Sequence, residues 1–167
     1  MLVFGPMKRK TRKTTLILVL LVSFSLSAYC ADTQDFTIKK IGDGVYAAIS
    51  GDGSKAGSNA SFIVGANGVA VVDTFIAADP AKELLAEIRK ITNLPVRYVI
   101  DTHYHLDHTG GNAVFAEAGA TILAHRNVRG WLRTENLKFF GANPKPEDKA
   151  RVDALVLPDL VYSQDID

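Results

Sequence analysis

Cysteine is nearly absent from this 167-residue chain, and Cys30 is the only one. No disulfide framework can form, and the body of the chain has no cysteine nucleophile or metal ligand. An excess of positive charge is missing too, with 19 Lys and Arg against 18 Asp and Glu. Five of those basic residues crowd into Met7 to Lys13, and no basic patch follows, which excludes nucleic acid as a partner. There is no internal repeat and no low-complexity segment. The loop Gly51 to Gly57, GDGSKAG, lacks the Gly-Lys-Ser/Thr ending of a phosphate-binding P-loop. Ser54, Ser58 and Ser61 have no acid or base placed to complete a serine-hydrolase triad. Histidine is scarce, four in all, yet three of them fall within six residues.

The first thirty-odd residues differ from the rest. MKRKTRK (Met7 to Lys13) is basic, LILVLLVSFSL (Leu16 to Leu26) is almost wholly apolar, and the small-residue stretch SAYCA precedes a polar start. That is the order of a secretory signal peptide over residues 1–31, with cleavage after Cys30 or Ala31. The apolar run is shorter than the roughly 20 residues of a membrane-spanning helix, so no stable anchor is expected. Tyr29 is bulky where a lipoprotein signal wants a small residue. The chain is therefore expected to be exported, to a periplasm or outside the cell. Without the signal, 14 basic residues face 18 acidic ones, a net of about −4. Residues 32–167 suffice for one domain with a modest core. Nothing in them identifies a protein partner.

Phe36 to Ile49 reads as two short strands around Gly42-Asp43-Gly44. Ser61 to Asp73 reads as a hairpin turning at Asn67-Gly68. Asp79 and Pro80 then suit the N-cap and first position of a helix whose Leu84, Leu85, Ile88 and Ile91 share one face. The apolar run Pro95 to Asp101 predicts a strand covered on both faces. After Gly110-Gly111, Asn112 suits the N-cap of a short helix closed by Gly119, and a strand over Ala120 to Ala124 leads to His125. A helix is expected from Asn127 through Trp131 to Leu137. Trp131, Phe139 and Phe140 suit a core or an exposed half-interface. Beyond Gly141 a loop and weak order are expected, with Lys145 to Arg151 a solvated charge run. The alternation predicts a mixed α/β layer arrangement.

The histidines sit at the C-terminal end of the apolar strand, in THYHLDHTGG (Thr102 to Gly111). Imidazole is the commonest zinc ligand. His103 and His105, two apart in an extended loop, can reach one metal. Asp107 and His108, one step on, can face a second, at the spacing that two-metal hydrolytic sites use. Gly110 and Gly111 remove bulk where the backbone bends close to the ions.

H-x-H-x-D-H followed by Gly-Gly-Asn resembles the metallo-β-lactamase-fold hydrolases. So does the order of a strand ending in Asp73, a helix, then a strand and the motif, over roughly Phe36 to Leu132. The resemblance implies an αββα sandwich, of which this chain holds the first half only. It implies zinc, two ions in the complete site, with His103 and His105 on one and Asp107 and His108 on the other. A bridging water, its pKa lowered toward ~7, would attack an ester-like or lactam carbonyl of a small-molecule substrate. Asp107, as the catalytic residue, would orient that water. Asp73 would support the motif loop from behind, and Gly51 to Asn59 resembles a flap over substrate. The family pattern also needs a third histidine, a bridging aspartate and a final histidine further on. Only His125 follows, too early to serve, and it is expected to hydrogen-bond near the next helix. Two readings stand at this point: an exported zinc-dependent hydrolase, or a catalytically incomplete metal-binding fragment holding half of a dinuclear site. Lactams, thioesters, lactones, and sulfate and phosphate esters are all substrates within the family.

Overall fold

The computed structural model describes residues 35–166. The stretch read as a signal peptide lies outside them. Runs of β-branched and small residues, with tight turns after β1 and β3 and a longer loop after β2, give four antiparallel strands in succession, β1 (Phe36–Gly42), β2 (Val45–Ser50), β3 (Ala60–Val64) and β4 (Val69–Val72). The Asn67-Gly68 turn is where expected, closed by the Gly65 N–H donating to the Gly68 carbonyl at 2.9 Å. Helix α1 (Ala78–Ile91) crosses to β5 (Val96–Asp101), which pairs parallel to β4. The short helices α2 (Leu106–Thr109) and α3 (Asn112–Glu117) lead to β6 (Thr121–His125), also parallel. Helices α4 (Arg126–Lys138) and α5 (Pro146–Asp153) then precede β7 (Leu160–Tyr162), parallel to β6. One seven-stranded sheet results, its strands in sequence order. This is the expected mixed α/β arrangement.

Several local expectations are corrected. Helix α1 begins two residues early, with Ala77 at its N-cap. Asp79 lies inside the first turn, paired with Lys82 at 3.3 Å. Pro80 is accommodated because first-turn N–H groups need no helical partner. Asn112 does not cap α3; Gly111 does, and the Asn112 side chain is buried elsewhere. Weak order after Gly141 is overturned by α5 and β7. Pro146 opens α5 at its first position, and the Lys145 N–H donates to the Asp148 carboxylate at 3.0 Å.

Phe62, Val71, Val99 and Ile122 stand side by side across β3 to β6 and are fully buried. Leu84 and Ile88 of α1 and Phe115 of α3 join the same core. Each such side chain contributes about 1.5–3 kcal/mol by leaving water. A second cluster, Ala124, Val128, Leu132, Val152 and Leu155, holds α4 and α5. Among the described residues no helix is long and apolar enough to cross a membrane.

The opposite face of the sheet also carries apolar side chains, and no helix among the described residues covers it. Ile49, Ile63, Tyr98 and Leu160 point there and are exposed. Strand β5 is therefore covered on one face, not two. A sheet with such a face has no reason to stay alone in water. The 167-residue chain is expected to dimerise or aggregate at micromolar concentration in sedimentation velocity. A monomer that unfolds in one cooperative step in denaturant would contradict this.

Candidate metal centre

The site starts where β4 ends. Among the described residues Asp73 and Phe75 are the two non-glycine residues with positive φ, 60° and 68°. Such backbone costs on the order of 1–3 kcal/mol per residue and persists only where surroundings hold it. Phe75 is fully buried and stacks on Phe36 with ring centroids 5.0 Å apart. The kink turns the Asp73 carboxylate toward the end of β5. There it accepts hydrogen bonds from the Thr102 N–H at 2.9 Å and the Thr102 hydroxyl at 2.8 Å, and its Oδ2 lies 2.8 Å from Nδ1 of His108.

This network orients two imidazoles. With the Thr102 hydroxyl donating to Asp73, its oxygen can accept from Nδ1 of His103, 3.0 Å away. Both His103 and His108 are thus held by Nδ1 and present Nε2 outward. Their ring centroids lie 4.1 Å apart, and His105 lies 4.7 Å from His103. Nε2 of His108 faces Oδ2 of Asp107 at 3.4 Å. A lone pair opposite a carboxylate oxygen is an arrangement a cation between them relieves, so this donor set fits a divalent metal. Burial, then the neighbouring His108 and His105, lower the pKa of His103 against the opposing pull of Asp73 and Asp107. A lowered pKa favours the neutral ring that binds metals.

One ligand atom each from Asp73, His103 and His108 lies within 4.8 Å of the others. Asp107 and His105 each neighbour one member of that group, His108 and His103 respectively, without joining the mutually close set. Both line a cavity of about 410 Å³ with Gly57, Ile76, Leu106, Asn136, Phe139, Phe140 and Arg151. Gly57 belongs to the loop expected as a flap, and neighbouring Ser58 donates its hydroxyl proton to the Asp107 carbonyl. Trp131 and Phe139 are exposed, while Phe140 packs against the second cluster.

Residues outside the motif hold it in place. Gly110 and Gly111 leave room for the backbone of the turn after β4. A Cβ at Gly110 would lie 2.1 Å from the Ile76 carbonyl oxygen, and one at Gly111 would lie 2.2 Å from that of Thr74. The Thr74 N–H donates to the His108 carbonyl at 2.7 Å, and its hydroxyl donates to Oδ1 of Asn112 at 2.8 Å. Nδ2 of Asn112 donates to Oδ2 of Asp101 at 3.0 Å. Sequence reasoning gave Asp101 and Thr74 no role and Asn112 the wrong one. The available signal was an acid closing an apolar strand. His125 caps α4, its Nδ1 accepting the Asn127 N–H at 3.2 Å and its Nε2 3.1 Å from the Ser163 carbonyl.

Asp101 is almost fully buried, and its Oδ1 has no partner among the described residues. Burial, aided by Asp73 and opposed by the Asn112 hydrogen bond, raises its pKa to about 7 from 3.8. Between those values the folded chain keeps a proton that the unfolded chain has released. Stability should therefore fall as pH rises from about 4 to about 7, then level off. Urea midpoints across that range should show this slope in the metal-free chain and lose it in Asp101→Asn. Equal slopes would refute the assignment.

The sequence profile of the metallo-beta-lactamase superfamily matches residues 54–161. The chain belongs to that superfamily. Over 48 residues the chain is 40% identical to a linear primary-alkylsulfatase of Pseudomonas sp. (strain ATCC 19151), covering 29% of this chain and 9% of the sulfatase. A metallo-beta-lactamase from Erythrobacter litoralis, solved with beta-mercaptoethanol in its active site, superposes with a TM-score of 0.58 at 19% identity, over 78% of this chain and 51% of that one. The metallo-beta-lactamase FIM-1 from Pseudomonas aeruginosa, in its mono-zinc form, gives 0.57 at 18% identity over the same shares. The chain thus spans about half the length of these lactamases.

Proposed function

We propose that this chain carries the first half of a dinuclear zinc site in an exported hydrolase that opens an ester-like or lactam bond of a small-molecule substrate. The observation that carries the reading is the Asp73 and Thr102 network that holds His103 and His108 by Nδ1, with Asp107 3.4 Å from Nε2 of His108 and the His105 ring 4.7 Å from that of His103. When bound, zinc supplies Lewis-acid activation of water. In this reading His103 and His105 would hold one ion, and Asp107 and His108 would hold the second. Asp73 stands behind them, keeping the His108 proton on Nδ1. Asp107 would orient the water that the ions activate. Ile76, Leu106, Phe139 and Phe140 receive the apolar part of the substrate and keep bulk water from it. The alkylsulfatase relative adds sulfate esters to the substrates worth testing. The basic, apolar and small-residue order of residues 1–31 supports export.

A second reading, a chain that holds metal without turnover of its own, is favoured by His125. That ring is occupied at the start of α4, so among the described residues the donors at the site are those of the motif and Asp73. Zinc content by mass spectrometry, together with hydrolysis of a chromogenic β-lactam, an aryl ester and an alkyl sulfate, separates the two. Turnover that disappears in His105→Ala and Asp107→Ala supports the hydrolase. Zinc retained without turnover supports the half-site, and a chain that retains no zinc refutes both.

A further inference from the structure

We propose that Asn136 is a positioning residue for His105, setting from α4 the angle at which that ring meets a divalent metal. This rests on the zinc-site reading above. The three motif histidines are not held alike. His103 is tethered through Nδ1 to Thr102 and His108 through Nδ1 to Asp73. The His105 ring has no hydrogen bond among the described residues. Its neighbours are rings: His103 at 4.7 Å, Tyr104 at 4.7 Å and Phe139 at 6.4 Å. A ligand imidazole without a tether on its second nitrogen depends on its backbone for direction.

Asn136 fixes that backbone on both sides. Its Oδ1 accepts the Leu106 N–H at 3.0 Å, and its Nδ2 donates to the Tyr104 carbonyl at 2.7 Å. Tyr104 and Leu106 are the residues flanking His105. The second Nδ2 proton goes to the Leu132 carbonyl at 2.7 Å, one turn back in α4, which stops the amide from swinging. Asn136 is 3% exposed, so these bonds lie away from water. Only a planar amide offers one acceptor and two donors in this arrangement. An aspartate would turn a carboxylate oxygen on two carbonyls, and a leucine would leave the Tyr104 carbonyl and the Leu106 N–H unpaired. The same helix turn places Phe139 beside the His105 ring, so one element sets both the ligand's backbone and its packing.

The test uses the full chain and Co²⁺ alone, followed by its visible absorption, with amide exchange at Leu106 in the metal-free state. Leu106 should be protected in the wild type. Asn136→Leu should weaken Co²⁺ binding by roughly tenfold or more and alter the absorption bands. Leu132→Ala, which loosens the same helix but keeps the amide, should lower stability and leave the bands unchanged. Wild-type affinity and bands in a folded Asn136→Leu would overturn the role of Asn136, as would an unprotected Leu106 amide in the wild type. Should Asn136→Leu fail to fold, Asn136→Asp and the Leu106 exchange decide by the same criteria. A wild type that binds no Co²⁺ overturns the zinc-site reading, and this inference with it.

Discussion

Gly111→Ala is expected to destabilise the chain by about 3 kcal/mol, the upper end of overpacking costs, and to lower its Tm by roughly 10 °C. A Cβ at this position would meet the Thr74 carbonyl oxygen at 2.2 Å and the Ala81 Cβ at 2.4 Å. Neither is the end of a flexible side chain, so the α2–α3 junction must move away from the turn after β4. That motion separates Thr74 from the His108 carbonyl and carries His108 off Asp73. The φ of Gly111 is −94°, which any residue can adopt. The requirement is therefore space and not backbone freedom. Gly130, exposed in α4 with nothing within 4 Å of its missing Cβ, makes the control. Gly130→Ala should stabilise by up to about 1 kcal/mol. Urea unfolding of both variants decides the matter, and a wild-type midpoint for Gly111→Ala would show that the junction tolerates a methyl group.

The second large effect is expected from Asp73→Asn. Asparagine tolerates the left-handed backbone that Asp73 adopts, and its amide oxygen can still accept from Thr102, so folding should be little affected. What it lacks is the carboxylate facing Nδ1 of His108. An amide N–H there would clash with the proton on Nδ1 or force it to Nε2, where the metal should bind. Zinc affinity should fall by about 10- to 100-fold, measured by competition with a chelating dye. Asp73→Ala should lose that and the Thr102 bonds, and so lose stability as well. Unchanged zinc affinity in Asp73→Asn would remove Asp73 from the account.

The motif could be read from sequence because its chemistry is local. Four donors within six residues announce themselves whatever the fold does. Asp73 was legible only through resemblance, since nothing in VVDTF says that its carboxylate turns toward a loop some 30 residues on. Asn136 gave no signal at all. An asparagine near the end of a charged helix looks like a surface residue, and only the packing of α4 against the motif loop shows otherwise. Asn112 misled for a physical reason: after two glycines it is a good N-cap, yet a buried carboxyl at Asp101 claimed its side chain. The strand over Pro95 to Asp101 was found but its surroundings were misjudged. A continuous apolar run fits burial on both faces, and also burial on one face with an uncovered apolar side. Helix α5 was hidden by its charge, although Pro146 followed by Glu147 and Asp148 is a helix-start pattern.

The change from antiparallel to parallel pairing at β4 bears on the order in which the chain assembles. Strands β1 and β2, and β3 and β4, are joined by short turns, and such hairpins close within microseconds. The pairing of β4 with β5 must wait for the α1 crossover, and non-local pairings of this kind are the slow part of folding. Asp73 stands at that seam, on the early side, while every histidine of the motif lies on the late side. The metal pocket can then exist only after the seam has closed. A metal captured there should slow unfolding far more than it speeds folding, acting as a latch on a finished structure and not as its nucleus.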